Sequence, residues 1–520
     1  MIVTPIGYFS TNQAILGPDL EARIRDGSLE TVGLAESIIA GQAPDGGLFM
    51  PTHFPQISSE TIAGMRNMSY AGIFVEVMKD YFHDVLSEET LEQIAKEAYE
   101  GDNPFEPFIE SLPQIDDIGT SIDHISRLDE GPSAAFKDYA AQVLFRVIEA
   151  LRREKPNTLI RPGYSLSDSD LLTFITATSG DTGGAMGHAI LNRDRMWMVI
   201  LYSAFVGKEI SSLQAKQMDT LGFNTHTLRV ETDFDGAQKM SQELLSDPEL
   251  EYMNLNSANS INIGRLLPQI AYYFHIYSRV AENPGEEVAF AVPSGNFGNA
   301  VAGLFAQRMG LPIKLIIGVN ENDVYSEFYD TGLYKPSSEI HSSPSNSMNI
   351  IWASNMRRLF QLYGGQLVEG KDPDNPERKV IQGLTLPDLR RMRQDIIGAY
   401  SISDEETDRI IVDFHNRGYE IEYDGGMITS TLEPHGAVAY GAAQMARKDG
   451  YTGKIVVLET AHPAKFPESL DRNNIKIATP ANLEGLQNGE GGNYILVPND
   501  LSRVREIVKT LHRQELAKYN

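Results

Sequence analysis

Short runs of apolar and β-branched residues recur along the chain, and several lead into a Gly/Ser/Asn turn and then a helix-like pattern. In one such unit, residues 171–177 precede a turn at 178–184. In another, residues 287–292 precede a turn at 293–299 and a helix over 300–309. This order of elements predicts α/β architecture.

Three further runs have the length and composition of buried strands: residues 196–202, 313–319 and 454–459. Apolar strands this short are typical of a parallel sheet that is covered by helices on both faces. Periodicity alone does not set the order of the strands in that sheet.

The chain before about residue 125 is more polar and more helical. Residues 87–100 predict a helix in which Ser87 is the N-cap and Glu88 and Glu89 lie in the first turn. Residues 364–380 contain several turn-forming residues and predict a loop or an insertion.

Length and charge restrict the partners. A chain of 520 residues is long enough for at least two core-forming domains. Its 44 Lys and Arg against 71 Asp and Glu give a net charge of −27, which would repel nucleic acid and anionic membranes. We therefore expect a small-molecule ligand and no nucleic-acid or membrane partner. An anionic ligand would need a site where a few Lys, Arg and backbone N–H groups concentrate positive potential.

No cysteine occurs, which excludes disulfides, thiolate zinc sites and cysteine nucleophiles. We predict no metal site. The longest markedly apolar run, residues 196–206, is too short to span a bilayer, and residues 1–10 lack the pattern of a signal peptide. We expect a soluble cytoplasmic protein.

One lysine stands beside a helix with a pronounced apolar face. Residues 131–138 lead into this helix, and Lys137 shares its inward side. Loss of hydration and the positive helix start both favour the neutral amine, which can attack an aldehyde to form an imine. The alternative is an ordinary first-turn lysine whose ammonium group reaches water.

The two Gly-rich turns after strands, at 178–184 and 293–299, supply the context for that lysine. Backbone N–H groups and the helix dipole can hold anions at such turns. Two anion sites suit a cofactor phosphate and a substrate carboxylate, the pair that a pyridoxal-phosphate enzyme acting on an amino acid requires. Either turn alone could also be a plain connection. Neither matches the dinucleotide or P-loop fingerprint.

Seven motifs are distributed over essentially the whole chain: residues 43–48 (APDGGL), 131–138 (GPSAAFKD), 176–183 (TATSGDTG), 259–265 (NSINIGR), 294–299 (SGNFGN), 433–438 (EPHGAV) and 460–467 (TAHPAKFP). In their order and spacing, these motifs resemble threonine synthases. Their sequences are similar to those of the longer subclass of that family.

The resemblance implies an α/β fold: the two-domain, tryptophan synthase β-like fold of fold-type II pyridoxal-phosphate enzymes, with a mainly helical N-terminal extension. In this fold type the chain leaves one domain and returns to it. We expect the extension over residues 1–125, a large cofactor-binding domain over 126–170 and 260–520, and a smaller α/β domain over 171–259.

In this family the lysine of the A-F-K-D segment bears the cofactor, which selects Lys137 as the catalytic, Schiff-base residue. The G-N-F-G loop holds the cofactor phosphate, and the threonine of the T-A-H-P segment meets the pyridine nitrogen. The resemblance thus implies as further cofactor ligands Gly295, Asn296, Phe297, Gly298, Asn299 and Thr460. A hydroxyl partner, unlike a carboxylate, would not hold that nitrogen protonated.

The S-G-D-T-G loop resembles the cradle of the substrate carboxylate. It implies Ser179, Gly180, Asp181, Thr182 and Gly183. For the substrate phosphate we favour Ser260, Asn262 and Arg265, with Lys208 as a further cation. Asn262 and Arg265 would be neighbours on a helix face, and arginine can grip a phosphate in bidentate fashion. The alternative for Arg265 is a structural ion pair in this acidic chain.

Three positions depart from the usual wording of the family. Ser133 stands where threonine is usual, and Asn299 and Asn349 stand where aspartate is typical. Losing a negative charge beside a bound phosphate could tighten the site or mark a different ligand geometry. His435 and His462 stay outside the catalytic set, because a satisfied loop histidine is the commoner case.

The resemblance implies a pyridoxal-phosphate-dependent lyase that converts O-phospho-L-homoserine and water to L-threonine and phosphate, by γ-elimination and β-addition of water. A phospholyase that releases a 2-oxo acid would use nearly the same residues. A non-catalytic amino-acid or phosphate-binding relative is a third hypothesis. The sequence leaves open whether the protein is a monomer or a homodimer.

Overall fold

Two sheets form the framework of the protein. The computed structural model describes residues 5–13, 22–23, 27–101, 103–112, 122–155, 157–161, 164–165, 170–336, 339–350, 352–365, 368–371, 379–382, 384–423, 426–487 and 492–519. The strands in these residues are β1 (Tyr8–Ser10), β2 (Phe49–Pro51), β3 (Phe108–Ser111), β4 (His124–Arg127), β5 (Leu159–Arg161), β6 (Tyr164–Ser165), β7 (Leu172–Thr178), β8 (Met196–Ser203), β9 (Thr225–Val230), β10 (Leu255–Ser257), β11 (Val288–Pro293), β12 (Ile313–Val319), β13 (Val368–Lys371), β14 (Lys379–Gln382), β15 (Ile396–Ser401), β16 (Glu420–Tyr423), β17 (Gly426–Thr429), β18 (Lys454–Glu459) and β19 (Tyr494–Val497).

Helices alternate with these strands through most of the chain. They are α1 (Leu34–Ala40), α2 (Ser59–Gly64), α3 (Tyr70–Phe82), α4 (Glu88–Tyr99), α5 (Asp138–Glu154), α6 (Asp181–Ile190), α7 (Ser212–Asp219), α8 (Phe234–Leu245), α9 (Ile263–Leu266), α10 (Ile270–Val280), α11 (Gly298–Arg308), α12 (Val324–Thr331), α13 (Met356–Leu362), α14 (Leu386–Asp395), α15 (Asp404–Asn416), α16 (Pro434–Lys448), α17 (Pro467–Arg472), α18 (Ala481–Gln487) and α19 (Leu501–Ala517). None of these helices combines the length and the apolar character needed to cross a membrane.

The larger sheet has the strand order β15-β12-β11-β18-β4-β3, in which β3 runs antiparallel to β4 and the other neighbours are parallel. The smaller sheet has the order β10-β7-β8-β9-β19 and is parallel. The five strands predicted from apolar runs are all present and almost continuously buried. The prediction of parallel strands in an α/β fold is confirmed.

The helices α1 to α4, all before residue 100, pack on the body that the two larger sheets form. α3 contacts α10, and α4 contacts α5. The predicted cap of α4 is confirmed, because the Ser87 side chain accepts a hydrogen bond from Thr90 N.

Two segments lie in a different sheet from the one that their predicted domain implies. β3 was assigned to the extension but pairs with β4 in the larger sheet. β19 was assigned to the large domain but pairs with β9 in the smaller sheet, and α19 packs on α8. Both are short strands at sheet edges. β19 pairs with a strand that is distant in sequence and leaves no local signal, whereas β3 pairs with the next strand along the chain, across the predicted domain limit. The other domain limits stay a prediction.

The predicted loop over residues 364–380 is wrong in part, because β13 and β14 pair as an antiparallel hairpin. The residues between the two strands, 372–378, lie outside the described residues. They include the Asp-Pro-Asp-Asn-Pro run on which the loop prediction was based.

Candidate active site

One pocket gathers most of the residues selected from the sequence. It lies at the carboxyl ends of β4, β11 and β18 in the larger sheet and of β7 in the smaller one, which is where open α/β sheets bind ligands. The selected residues that line it are Lys137, Ser179, Asp181, Thr182, Ser260, Arg265, Gly295, Asn296, Phe297, Gly298, Asn299 and Thr460.

Lys137 immediately precedes α5, and its side chain is only 12% exposed. Phe136 N donates a 2.9 Å hydrogen bond to Thr460 O, which ties the lysine loop to the end of β18. Burial lowers the pKa of the Lys137 amine, although Asp181 opposes the shift. The alternative of a lysine that extends into water therefore does not describe this structure.

Asp181 lies between two lysines, one of which was not selected from the sequence. Its Oδ2 is 3.3 Å from Lys137 Nζ, and its Oδ1 is 2.8 Å from Nζ of the fully buried Lys465. Gln214 Nε2 also donates to Oδ1, at 2.8 Å. Burial opposes the ionisation of Asp181, but Lys465 and then Lys137 outweigh it and hold the pKa of the carboxyl well below its usual range. Asp181 is thus the counter-ion of two amines rather than part of an anion cradle.

Residues 294–299 form a tight turn between β11 and α11. Phe297, the residue before α11, has a φ of +63°, a conformation that costs energy for a residue with a side chain. A Cβ on Gly295 would lie 2.5 Å from Ser347 O, so this position admits only glycine without movement. Gly298 and Asn299 open α11 on the pocket wall, where backbone N–H groups favour an anion.

Asn299 is oriented by two tyrosines. Its Oδ1 accepts hydrogen bonds from the hydroxyls of Tyr272 at 2.6 Å and Tyr273 at 2.7 Å. Its Nδ2 is buried and has no hydrogen-bond partner among the described residues. An aspartate here could accept the same two hydrogen bonds, so the amide adds an N–H donor to the pocket without disturbing the tyrosines.

Arg265 is a buried cation on the pocket wall. Its Nη1 donates to Ala258 O at 2.6 Å, whereas its Nε has no partner in the described part of the chain. Burial lowers its pKa to about 10, so it stays protonated at neutral pH. Because no described carboxylate pairs with it, the structural ion pair considered from the sequence is not seen, and the site favours an anion.

A second buried arginine, Arg358, supports the same wall and was not selected from the sequence. It donates to Ser260 O at 3.3 Å and Ile261 O at 2.7 Å, and to Asn355 Oδ1 at 2.6 Å. Burial lowers its pKa to about 9. Arg358 therefore fixes the backbone beside Ser260 and adds positive charge behind it.

Four selected residues do not line the pocket. Asn262 is fully buried and caps α9, because its Oδ1 accepts from Gly264 N at 2.8 Å while its Nδ2 donates to Ile38 O at 3.0 Å. Both ends of the amide are occupied by backbone. Asn262 thus holds the segment that carries Ser260, and its predicted contact with substrate phosphate stays a prediction.

The other three are Gly180, Gly183 and Lys208. The N–H groups of Gly180 and Gly183 donate to Thr178 Oγ1, at 2.9 and 3.1 Å, so they shape the turn instead of binding a carboxylate. Lys208 is exposed and lines a neighbouring cleft with Asp404, because the chain turns outward after β8 through Gly207 at a φ of +83°.

The two histidines are held by neighbours, as expected for satisfied loop residues. His435 lines the pocket, but its Nε2 accepts from Ser347 N at 3.1 Å and its Nδ1 is 2.6 Å from Glu433 Oε2. His462 Nδ1 accepts from Ala464 N at 3.1 Å, and burial lowers its pKa to about 3.

Ser133 and Asn349, the other two positions that differ from the usual family sequence, have structural roles. Ser133 Oγ donates to Asp138 Oδ2 at 2.9 Å, which a threonine hydroxyl could do as well. Asn349 Nδ2 donates to Ser343 O at 3.1 Å, and its Oδ1 accepts from Asn320 Nδ2 at 2.9 Å. The amide of Asn349 thus holds the loop behind the pocket.

Family models match both ends of the chain: a threonine synthase N terminus over residues 24–99 and a threonine synthase C-terminal region over residues 436–508. Threonine synthase of Escherichia coli K12 is 32% identical over 444 residues, which are 85% of this chain and 88% of that protein. Threonine synthase of Buchnera aphidicola from Acyrthosiphon pisum is 32% identical over 458 residues, 88% of this chain and 92% of its own. The chain belongs to the threonine synthase family.

Solved structures of the family extend the match. Yeast threonine synthase aligns with a TM-score of 0.79 and 27% identity, covering 98% of this chain and 99% of its own. The pyridoxal-phosphate-bound threonine synthase of Brucella melitensis aligns with a TM-score of 0.77 and 28% identity, covering 98% and 100%. The predicted threonine synthase fold, an α/β fold of type II, is confirmed.

The pocket fits pyridoxal phosphate, the cofactor of this threonine synthase family. Lys137 offers a buried amine with a lowered pKa for the aldehyde. The start of α11, the Asn299 amide and Arg265 offer positive potential for phosphate, since the Asn299 Nδ2 has no hydrogen-bond partner and Arg265 no carboxylate partner among the described residues. Thr460 offers a hydroxyl at the end of a buried strand.

Proposed function

We propose that this protein converts O-phospho-L-homoserine and water to L-threonine and phosphate, and that Lys137 bears the cofactor. A single observation carries the proposal: the buried amine of Lys137 shares a pocket with the start of α11 and with the buried cation Arg265, which pairs with no described carboxylate. When bound, pyridoxal phosphate forms an imine with an amine and withdraws electrons from the substrate α-carbon.

Residues of the pocket would supply proton transfer and stabilise the anionic groups of the substrate. Lys137 takes and returns protons at the substrate carbons, and Asp181 stabilises its ammonium form at 3.3 Å. Arg265 and Ser260 stabilise the departing phosphate. The hydroxyls of Ser179 and Thr182 face the pocket and suit the substrate carboxylate.

The carbon product separates the proposed reaction from that of a phospholyase. Purified protein loaded with pyridoxal phosphate is incubated with O-phospho-L-homoserine, and phosphate, threonine and 2-oxobutyrate are measured together. We expect threonine and phosphate in equal amounts. Formation of 2-oxobutyrate without threonine would defeat the proposal and favour the phospholyase.

Visible absorption separates an enzyme from a non-catalytic binding relative. The loaded protein should carry a visible band that is lost in Lys137→Ala, while Lys465→Arg, which keeps a cation beside Asp181, should retain it. A protein that stays colourless with added pyridoxal phosphate would favour the binder.

We also propose a cytoplasmic location, which the lack of cysteine supports. The net charge of −27 supports the expectation that nucleic acid is not a partner. Analytical ultracentrifugation would distinguish the monomer from the homodimer.

A further inference from the structure

The hydroxyl of Thr460, which lines the pocket, contacts a buried carboxyl group on its other side. Thr460 Oγ1 donates a 3.1 Å hydrogen bond to Glu433 Oε1. A hydroxyl has one hydrogen and two lone pairs. Once that hydrogen is directed at Glu433, the hydroxyl presents only a hydrogen-bond acceptor to the pocket.

Glu433 is surrounded by hydrogen-bond donors. Its Oε1 also accepts from Gly436 N at 3.0 Å, and its Oε2 accepts from His435 N at 2.7 Å. The fourth donor is His435 Nδ1 at 2.6 Å. This nitrogen must carry the ring hydrogen, because Nε2 accepts from Ser347 N and so holds a lone pair. Three of the four donors are N–H groups, which can only donate, so both oxygens of the carboxyl act as acceptors.

The neighbouring acid, Glu459, is the one whose ionisation is disfavoured. Its Oε1 accepts from Glu433 N at 2.6 Å, while its Oε2 has no partner in the described part of the chain. Burial and then the charge of Glu433 raise the pKa of Glu459 well above its usual value. Arg127, also nearby, pairs with Glu110 at 3.3 Å. The buried cluster therefore has a defined member, Glu433, whose two oxygens accept hydrogen bonds and which lies directly beside Thr460.

We propose that Glu433 is a positioning residue that acts through Thr460 and makes the pocket select a protonated ring nitrogen in the cofactor. The inference rests on the proposed placement of Thr460 at that nitrogen. It revises the expectation that a hydroxyl partner leaves the nitrogen unprotonated: a hydroxyl backed by a carboxylate can only accept, so it favours an N–H. A protonated ring withdraws electrons more strongly.

Nitrogen-15 NMR of the holoenzyme tests this directly. The protein is loaded with pyridoxal phosphate labelled with ¹⁵N in the ring, and the chemical shift is compared with those of the protonated and unprotonated free cofactor. We expect the protonated value in the unmodified protein. Glu433→Gln and Thr460→Val should both move the shift toward the unprotonated value, whereas Thr460→Ser, which keeps the hydroxyl, should not.

Glu459→Gln is the matched control, because it alters a neighbouring buried carboxyl to which the Thr460 hydroxyl does not donate its hydrogen bond. It should leave the ¹⁵N shift in place. An unprotonated shift in the unmodified holoenzyme overturns the inference, and so does a protonated shift that survives Thr460→Val. Failure of the protein to bind the cofactor at all would instead contradict the proposed function, so the two failures are distinguishable.

Discussion

Two pairs of buried cations lie in or directly behind the pocket, Lys137 with Lys465 and Arg265 with Arg358, and they differ in how their charge is balanced. Lys137 and Lys465 both pair with the carboxylate of Asp181. Arg265 and Arg358 have only carbonyl and amide oxygens as partners among the described residues. An ion pair that is complete within the protein is formed before any ligand arrives. A buried cation without an anion is unfavourable until one binds.

The difference assigns a task to each group. The lysine group joins α6 of the smaller sheet to the loops after β4 and β18 of the larger one, so it holds the two halves of the pocket together. The arginine group supplies the local positive potential that an acidic chain needs in order to bind phosphate.

Removing one lysine should produce the largest effect. Lys465→Met leaves Asp181 buried with only the more distant of its two cations, so we expect the free energy of unfolding to fall by about 3–5 kcal/mol. Urea unfolding of the cofactor-free protein at neutral pH measures this loss. In the double variant Lys465→Met/Asp181→Asn, at least half of it should return. A loss below about 1 kcal/mol in the single variant would contradict the view that the lysines form a stabilising ion pair with Asp181.

The ion pair of Asp181 and Lys465 predicts that the free energy of unfolding depends on pH. The pKa of Asp181 is depressed in the folded protein, so the stability it contributes is present above the pKa of an unfolded aspartate, roughly 4, and is lost as pH falls toward the folded value. The gap in unfolding free energy between the unmodified protein and Lys465→Met should therefore narrow on acidification below roughly pH 4. A gap that widens there would assign the loss to packing instead.

Arg265→Met tests the unbalanced group. We expect the affinity for pyridoxal phosphate or for the phosphorylated substrate to fall by about 2–4 kcal/mol, as for truncation of one partner of a buried charge pair. Without ligand, the variant should unfold at the same or a higher temperature, because an unpaired buried charge has been removed. Calorimetric titration and thermal unfolding measure the two effects. A cofactor-free variant as unstable as Lys465→Met would show that both groups are structural.

The sequence predicted the elements that depend on local pattern. The apolar runs located the strands, Ser87 marked the start of α4, and the segment around Lys137 located the amine. What it missed depends on contacts between distant segments. Nothing near Lys465 indicates that it meets Asp181, and β19 carries no sign that its partner is β9. The helix spacing of Asn262 to Arg265 is real, but no sequence pattern indicates that its amide is hydrogen-bonded to the backbone.

Gly295→Ala should lower the affinity for the cofactor, by a smaller amount than Arg265→Met. The new Cβ would lie 2.5 Å from Ser347 O, so the turn that opens α11 must shift. Overpacking of this kind costs about 1–3 kcal/mol, and we expect most of it in cofactor affinity because the displaced backbone carries the anion site. Gly285→Ala is a control, because a Cβ there meets nothing within 4 Å, although its φ of +78° adds some strain of its own. Equal losses of cofactor affinity in the two variants would contradict the expectation.

Lys208→Ala should have the smallest effect on binding of the phosphorylated substrate. It tests whether Lys208 belongs to the cationic site. Lys208 is exposed in the neighbouring cleft, whereas Arg265 lines the pocket itself. Truncating an exposed lysine usually changes free energies by no more than about 0.5 kcal/mol, so KM for the phosphorylated substrate should change roughly twofold at most. If KM instead rises as much as in Arg265→Met, the segment after β8 must move toward the pocket when substrate binds. The positive potential would then be assembled by closure of the smaller domain rather than built into the larger sheet.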